Sequence, residues 1–127
     1  MSASAMNKRI LIVDDAATVR MYHRKILEDG GFETDEAVNG LEALEKSLTA
    51  RYDLLLVDVN MPKMDGYTFL REFRAQGSQP QVPALMVSTQ ADRRDASEAY
   101  RAGANFYLVK PAKPVDLMIT ARLLMGV

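Results

Sequence analysis

Two short apolar runs, residues 10–13 and 54–57, constrain the fold of this chain more than any other feature of its sequence. Each run holds four consecutive aliphatic residues and ends at carboxylates, Asp14 and Asp15 after the first run and Asp58 after the second. Apolar runs of this length without alternation are typical of strands buried on both faces of a parallel sheet. Parallel neighbours need long crossover connections, so the chain is expected to alternate strands with helices.

The rest of the chain supplies this alternation. We predict further strands at residues 32–37, 84–89 and 106–109, and helices at residues 16–28, after Asn39, after Asp65, from Asp92 to Gly103 and from Pro114 onward. Asn39 and Asp65 are expected to cap their helices, Glu42 to reach back to Asn39, and Pro114 suits a first helical position. Five strand–helix units predict an α/β fold in which helices cover both faces of one parallel sheet.

Apolar residues at helical spacing indicate which helix faces should be buried. Val19, Tyr22, Ile26 and Leu27 form such a stripe on the first helix, and Leu41, Leu44 and Leu48 form one on the second. His23 is the only histidine of the chain and lies on the first stripe. We interpret it as a partly buried packing residue and not as a phosphotransfer group.

Length and charge limit the class of protein. The 127 residues are the size of one domain, which we predict over residues 8–127 after a disordered leader, residues 1–7. The absence of cysteine excludes disulfide bonds and thiolate metal sites. A net charge of −1 without a basic stripe argues against nucleic acid and membrane surfaces as partners. We expect a cytoplasmic location.

Polar residues are expected to meet at one edge of the sheet, because ligands bind outside the carboxyl ends of such strands. They are Asp14, Asp15, Asp58, Ser88 and Lys110. An aspartate after a buried strand is often only a loop residue or a helix cap, so the argument rests on their joint occurrence. One lysine does not balance three carboxylates, and the hard divalent ion that favours a few carboxylates with water is Mg²⁺. This set suits phosphoryl transfer, with Asp58 as nucleophile and Lys110 and Ser88 on the phosphoryl oxygens.

Four segments carry a resemblance to a known family. They are ILIVDD at residues 10–15, DVNMPKMDG at 58–66, LMVST at 85–89 and AGANFYLVKP at 102–111. The chain resembles the response-regulator receiver domains of two-component signalling, most of all the stand-alone chemotaxis regulators, over about residues 8–125. The resemblance implies a flavodoxin-like doubly wound (βα)5 three-layer sandwich with strand order 2-1-3-4-5.

The resemblance also implies how the site would work. Asp58 would accept a phosphoryl group from a sensor histidine kinase or phosphotransfer protein. Mg²⁺ would be held directly by Asp15, Asp58 and the backbone carbonyl of Asn60, and by Asp14 mainly through water. Lys110 would contact the phosphoryl group, next to a Lys–Pro bond that is often cis in this family.

Further positions have roles in the family's switch. Ser88 would move toward the phosphate and leave space into which Tyr107 rotates. Asn60 and Gln90 would tune how long the phosphate lasts. Such a protein is a signalling switch, whose only chemistry is its own phosphorylation and dephosphorylation, and not an enzyme acting on other substrates.

The output is expected at a protein-binding surface formed by the fourth helix, the last strand and the fifth helix, with chemotaxis or motility control as the pathway. A phosphate sink or a pathway adaptor is the alternative. Residues 115–125 are apolar nearly all round. This feature predicts either a merely apolar terminal helix or a docking face for a partner or for a second copy in a homodimer.

Three other classes of protein fit the sequence less well. A haloacid-dehalogenase-like phosphatase would need an acid two residues after its nucleophile, where this chain has Asn60. A flavin or nucleotide module would need a phosphate-binding loop after the first strand, where Asp14 and Asp15 would repel the ligand. A degenerate receiver that serves only as a scaffold would not need the intact set of site residues.

Overall fold

The alternation of strands and helices is confirmed, with bounds close to those predicted. The computed structural model describes residues 8–77, 79, 81–89 and 93–127. Its elements are β1 (Arg9–Val13), α1 (Ala17–Asp29), β2 (Glu33–Ala37), α2 (Gly40–Thr49), β3 (Leu54–Asp58), α3 (Gly66–Gln76), β4 (Ala84–Ser88), α4 (Arg93–Ala102), β5 (Phe106–Val109) and α5 (Pro114–Met125). Residues 1–7, predicted as a leader, and Asp92, predicted to start the fourth helix, lie outside the described residues.

The five strands form one parallel sheet in the order β2-β1-β3-β4-β5, which confirms the flavodoxin-like fold. The winding direction reverses between β1 and β3, and this reversal point is where open α/β sheets bind ligands. Val13 pairs with Val57 across these strands, so Asp14 and Asp58, one residue further along each strand, lie side by side. The sheet register therefore brings the two apolar runs to the same edge.

The core has one apolar layer on each face of the sheet. Leu11 and Leu55 face Phe69 and Phe73, while Leu56 on the opposite face belongs to the other layer. That second layer also contains Ile10, Ile12, Leu27, Leu117 and Ala121. Beyond Arg9, the side chains of β1, β3 and β4 are buried on both faces of the sheet. This burial explains why these strands contain continuous apolar runs rather than alternating apolar and polar residues.

Two predicted helix caps are confirmed, and one detail of them is wrong. Asn39 Oδ1 accepts the backbone N–H of Glu42 at 2.8 Å, and Asp65 Oδ1 accepts that of Thr68 at 2.8 Å. Glu42, however, reaches back to the N–H of Val38 at 3.1 Å and not to Asn39. Pro114 occupies the first turn of α5 as predicted.

The predicted apolar stripe of α2 is right only at Leu44, which is partly buried against the core. Its buried residues are Gly40, Ala43 and Ser47, whereas Leu41 and Leu48 are 46% and 69% exposed. Small side chains are buried here because the helix lies close to its neighbours: a Cβ at Gly40 would contact Met64 and Phe69. On this helix, the space between the backbone and its neighbours therefore decides which side chains are buried, more than their hydrophobicity does.

The stripe of α1 is right in part. Leu27 is buried and Ile26 is partly buried against the core, as predicted. Tyr22 is 41% exposed, and its hydroxyl donates to the carbonyl oxygen of Ala112 at 2.9 Å. His23 is more deeply buried than predicted, with 1% of its surface exposed. Among the described helices, none combines the length and apolar composition needed to cross a bilayer.

Candidate functional site

Three aspartates gather at the carboxyl edge of the sheet, where β1 and β3 end. Asp14 and Asp15 follow β1, and Asp58 is the last residue of β3. Each offers a carboxylate oxygen that lies within 4.8 Å of the other two. Asp14 and Asp58 are 2% and 5% exposed, whereas Asp15 is exposed. The predicted acidic cluster is therefore assembled, with two of its members buried and the third open to solvent.

Lys110 connects the two buried carboxylates. It follows β5, and its Nζ donates to Asp14 Oδ2 at 2.8 Å and to Asp58 Oδ1 at 3.0 Å. Its side chain is 14% exposed, so solvent screens these ion pairs only weakly. Three carboxylates and one ammonium leave a formal charge of −2 in the cluster when all four groups are ionised.

The electrostatics of this cluster affect its buried groups differently. Burial raises the pKa of Asp58, the charges of Asp14 and Asp15 raise it further, and the hydrogen bond from Lys110 acts against this rise. Burial alone would lower the pKa of Lys110, but the hydrogen bonds and charges of its two aspartates raise it overall. Lys110 is therefore an ammonium ion at neutral pH, while ionised Asp58 is held at a cost.

The donor set fits a magnesium ion. Carboxylate oxygens are hard ligands, and a charge of −2 is the charge that one divalent cation neutralises. Asn60, whose carbonyl was predicted as a further ligand, is exposed in the loop two residues beyond Asp58. The assignment of individual ligand roles to Asp14, Asp15, Asp58 and Asn60 stays a prediction.

Ser88 and Tyr107 lie in direct contact beside the acidic cluster. Ser88 ends β4 and is fully buried, one residue beyond Val87, the register partner of Asp58. Its side chain is hydrogen-bonded to that of Tyr107 on β5, which is half-buried. Burial raises the pKa of Tyr107, and the bond with Ser88 acts in the opposite direction. The two residues predicted to act as a coupled pair are thus physically joined.

Two further expectations concern the rim of the site. The Lys110–Pro111 peptide bond is cis, as the resemblance implied. Gln90, predicted to tune phosphate lifetime, lies outside the described residues. Asn60, its predicted counterpart, is exposed as a residue contacting an incoming water would need to be.

The loop after β3 folds back tightly against the end of that strand. The N–H of Gly66 donates to the carbonyl oxygen of Val59 at 2.8 Å. A Cβ at Gly66 would collide with the carbonyl oxygen of Asp58 and with the side chain of Met86. The glycine is needed because α3 begins in contact with the Asp58 peptide.

Sequence reasoning missed Arg20, which contacts the site through the main chain. Its Nη1 donates to the carbonyl oxygen of Asp14 at 2.7 Å, and its Nε donates to Glu36 Oε1 at 2.8 Å. The sequence carries a weak signal for it, an arginine one turn into the helix that follows the two aspartates. Charged residues on a helix are usually solvated, so this signal alone did not single out Arg20.

His23 lies next to the same site. It lines, with Lys110 and Pro111, a cavity of about 440 Å³. Within the described part of the chain its Nδ1 is a buried side-chain atom without a hydrogen-bond partner. Burial, offset in part by the charge of Asp14, lowers the pKa of His23 to about 4. The imidazole is therefore neutral at pH 7, in agreement with a packing role.

Comparison with known proteins gives a consistent result. The sequence profile described as response regulator receiver domain matches residues 10–122. Chemotaxis protein CheY-3 of Vibrio cholerae is 42% identical over 106 residues, which are 83% of this chain and 82% of that protein. Chemotaxis protein CheY of Pseudomonas aeruginosa is 43% identical over 104 residues, 81% of this chain and 84% of that protein. The chain spans about half, 48%, of the transcriptional regulatory protein ResD of Bacillus subtilis, with 35% identity.

Solved structures agree with the sequence relatives. CheY4 of Vibrio cholerae superposes with a TM-score of 0.87 at 36% identity, covering 92% of this chain and 98% of that chain. The receiver domain of a sensor histidine kinase from Pseudomonas aeruginosa, solved with magnesium coordinated in its active site cleft, gives a TM-score of 0.88 at 30% identity, covering 94% and 98% of the two chains. Together with the cluster of Asp14, Asp15, Asp58 and Lys110, these matches establish that this chain belongs to the response regulator receiver family.

Proposed function

We propose that this chain is a phosphorylation switch in which Asp58 accepts a phosphoryl group from the phosphohistidine of a sensor histidine kinase or a phosphotransfer protein. The observation that carries the proposal is the placement of one partly buried ammonium, Lys110, between the buried carboxylates of Asp14 and Asp58. An ion pair placed only for stability would be balanced, whereas this cluster keeps two negative charges in excess. We further propose one domain over residues 8–127, acting in the cytoplasm.

The transfer step uses Asp58 as the nucleophile. One of its carboxylate oxygens attacks phosphorus, the P–N bond of the donor breaks, and the electron pair stays on the imidazole nitrogen of the donor. Lys110 exchanges its contact with Asp58 Oδ1 for a phosphoryl oxygen, and the Ser88 hydroxyl donates to another. Asp14, Asp15, Asp58 and the carbonyl of Asn60 would hold a magnesium ion, which would supply positive charge to the phosphoryl oxygens.

The switch follows from the hydrogen bond between Ser88 and Tyr107. When Ser88 turns toward the phosphoryl group, that bond breaks and the Tyr107 ring moves into the space that Ser88 leaves. Tyr107 belongs to β5, in the middle of the surface formed by α4, β5 and α5. Large apolar side chains that are exposed on α4 and β5 are Tyr100, Phe106 and Val109. They support binding of a downstream protein there.

Chemotaxis or motility control is the pathway that we propose, supported by the two relatives named chemotaxis proteins, which match along more than four-fifths of their length. A phosphate sink or a pathway adaptor is the competing role. Capture of proteins from native cell extract with unmodified and beryllofluoride-bound protein distinguishes them. A target enriched only by the beryllofluoride form supports the switch, and capture of kinase components alone supports a sink.

Phosphorylation is tested by incubating the protein with phosphoramidate and Mg²⁺ and measuring the intact mass. Asp58→Asn is expected to lose the added phosphoryl group completely, because an amide is not a nucleophile for phosphorus. Asp53→Asn is the matched control, since Asp53 immediately precedes the strand that Asp58 ends. Phosphorylation of Asp58→Asn at the wild-type level would refute the assignment of the acceptor.

Phosphate lifetime tests the role of Asn60. We expect Asn60→Met to slow loss of the phosphoryl group several-fold, because methionine cannot orient an attacking water. The decay of phosphorylated protein after removal of the donor measures this, and an unchanged rate removes the proposal. A phosphatase that acts on other substrates remains the rival class. Turnover of p-nitrophenyl phosphate would favour it, whereas incorporation without turnover favours the switch.

A homodimer through α5 is a second assembly to test. Val115, Ile119 and Leu123 of this helix are 67%, 52% and 76% exposed, and they line one stripe at a spacing of four residues. Sedimentation with and without beryllofluoride measures the association. A monomer at all concentrations in both states would leave the stripe as part of a target-binding face.

A further inference from the structure

Arg20 is partly buried and packs against the loop that carries the acidic cluster. The side chain of Arg20 is 14% exposed although arginine is rarely buried without a partner. It extends from α1 toward the end of β1 and uses two different nitrogens on two different partners. Nη1 donates to the carbonyl oxygen of Asp14 at 2.7 Å, and Nε donates to Glu36 Oε1 at 2.8 Å.

The contact with Asp14 orients Asp15 as well. A peptide unit is planar, so the carbonyl oxygen of Asp14 and the nitrogen of Asp15 move together. A donor that fixes this oxygen therefore fixes the plane from which the Asp15 side chain departs. Asp15 is exposed, and packing does not restrain it as it restrains the buried Asp14.

The remaining groups of Asp14 have partners of their own. Its N–H donates to the carbonyl oxygen of Ala37 at 3.1 Å, and its Oδ1 accepts the N–H of Ala16 at 2.9 Å. Its Oδ2 accepts from Lys110 at 2.8 Å. The backbone carbonyl is the group that Arg20 holds, so Arg20 completes the fixation of this residue.

Glu36 orients Arg20 and neutralises it. It lies on the edge strand β2 and accepts from Arg20 through Oε1 and from Arg24 through Oε2, the latter at 2.9 Å. Arg24 is 50% exposed, also bonds Glu28, and is not among the partners of Asp14. Because Glu36 balances the charge of Arg20, the guanidinium acts on the cluster by geometry more than by charge.

We propose that Arg20 is a positioning residue for the cation site: it holds the Asp14–Asp15 peptide so that both carboxylates point at the ion beside Asp58. The proposal rests on the proposed function for its biological meaning, but cation binding can be measured apart from phosphorylation. Groups that orient metal ligands typically contribute about 10- to 100-fold in metal affinity.

The direction in which Mg²⁺ affinity changes distinguishes a positioning role of Arg20 from a purely electrostatic role. Removal of a positive charge near three carboxylates should strengthen Mg²⁺ binding if Arg20 acts only electrostatically. Loss of a positioning contact should weaken binding. Arg20→Met removes both the charge and the donors, and Arg20→Lys keeps the charge but not the fork that reaches two acceptors. Arg24→Met is the matched control on the same helix and the same glutamate.

The experiment is titration of the purified, unphosphorylated full chain with MgCl₂ in a calorimeter. We expect Arg20→Met to bind Mg²⁺ about tenfold more weakly, Arg20→Lys to be intermediate, and Arg24→Met to stay within about twofold of wild type. Mg²⁺ affinity of Arg20→Met that is equal to or higher than that of wild type would overturn the proposal. Equal weakening in Arg20→Met and Arg24→Met would also overturn it, because general loss of ion pairs would then be the cause.

A second readout keeps the inference separate from the proposed function. With phosphoramidate as donor, Arg20→Met should need about tenfold more Mg²⁺ for half-maximal phosphorylation but reach nearly the wild-type maximum. If wild type binds Mg²⁺ but is not phosphorylated, the proposed function fails while this inference stands. Circular dichroism checks that each variant is folded. Should Arg20→Met not fold, Arg20→Lys carries the test, and wild-type Mg²⁺ affinity in that variant overturns the proposal.

Discussion

The two ends of β3 carry the same residue type in opposite circumstances. Asp53, just before the strand, accepts the backbone N–H of Arg9 at 2.8 Å, while its own N–H donates to the Arg9 carbonyl at 2.7 Å. Asp58, at the other end, is 5% exposed and contacts the ammonium of Lys110. The Asp53 carboxylate adds a hydrogen bond between the start of β1 and the residue before β3, and it is partly exposed to solvent. The Asp58 carboxylate is buried in a cluster that stays negative until a cation binds, so this end of the sheet favours function over stability.

The largest effect is expected at Lys110, which lies at the carboxyl edge of the sheet. Lys110→Met should lower the rate of phosphorylation by about 100-fold or more at saturating Mg²⁺, because it removes a buried donor to the phosphoryl oxygens. Lys113→Met is the control, since Lys113 is exposed three residues further along the chain. Initial rates of phosphoryl incorporation from phosphoramidate measure both. A loss smaller than about tenfold for Lys110→Met would show that the ammonium is structural.

His23, which lies near the carboxyl edge of the sheet, should make the stability of the folded protein sensitive to acid. Its pKa is lowered from 6.5 to about 4, so below pH 6.5 the unfolded chain binds a proton that the folded protein does not. The free energy of unfolding should therefore fall by up to about 3 kcal/mol between pH 6.5 and pH 4, with no contribution from this group above that range. Urea unfolding across this range, compared with His23→Leu, measures it. Equal pH dependence in both proteins would contradict the expectation.

Neutralising Asp58 should stabilise the protein when Mg²⁺ is absent. Its pKa is raised in the folded state, so the folded protein carries a stability deficit that grows as the pH rises above 3.8 through the folded-state pKa of Asp58. Asp58→Asn removes that deficit, and we expect a gain of about 1 kcal/mol. Thermal unfolding with chelator at pH 7 measures the gain, which should vanish near pH 3. Lower stability of Asp58→Asn at pH 7 would show that its pairing with Lys110 outweighs its burial.

The smallest effect on stability is expected at the opposite edge of the sheet, where β1 and β2 begin. Arg9 and Glu33 form an ion pair of 3.9 Å between side chains that are 45% and 61% exposed. Glu33→Gln should change the free energy of unfolding by less than about 0.5 kcal/mol, because exposed pairs are screened by water. Urea unfolding at low and high salt checks this. A salt-dependent loss above about 1 kcal/mol would mean that the two ends of the sheet differ less than their burial indicates.

The sheet and its site were accessible to sequence analysis because both depend on continuous patterns. A strand buried on two faces has to be apolar throughout, and the residue that follows the apolar run has to lie at the ligand edge, which identified Asp14 and Asp58. Lys110 follows β5, an edge strand that is only partly buried, and was identified from its position at the end of that strand. Helix faces were harder to predict. Leu48 is exposed and Ser47 is buried on α2. At the start of this helix a Cβ at Gly40 would collide with Met64 and Phe69, so close packing there admits only glycine.

Contacts that join distant segments were the part that sequence could not supply. Arg20 and Glu36 are 16 residues apart, and their pairing depends on the side-by-side placement of α1 and β2. The same holds for the bond between Tyr22 and Ala112, which are 90 residues apart. A polar side chain on a helix has many candidate partners, and only the packed structure selects one.

The contact between Gly66 and the Asp58 peptide limits where a signal can travel. Since α3 begins directly against the main chain of Asp58, the packing at Gly66 is tight, and no side chain at that position could rotate to accommodate a shift of residue 58. If the proposed switch operates, we expect the rearrangement on the opposite side of Asp58, where the side chains of Ser88 and Tyr107 are hydrogen-bonded to each other. The absence of a side chain at Gly66 thus allows tight packing on one side of Asp58, and conformational change is expected on the other side, at Ser88 and Tyr107.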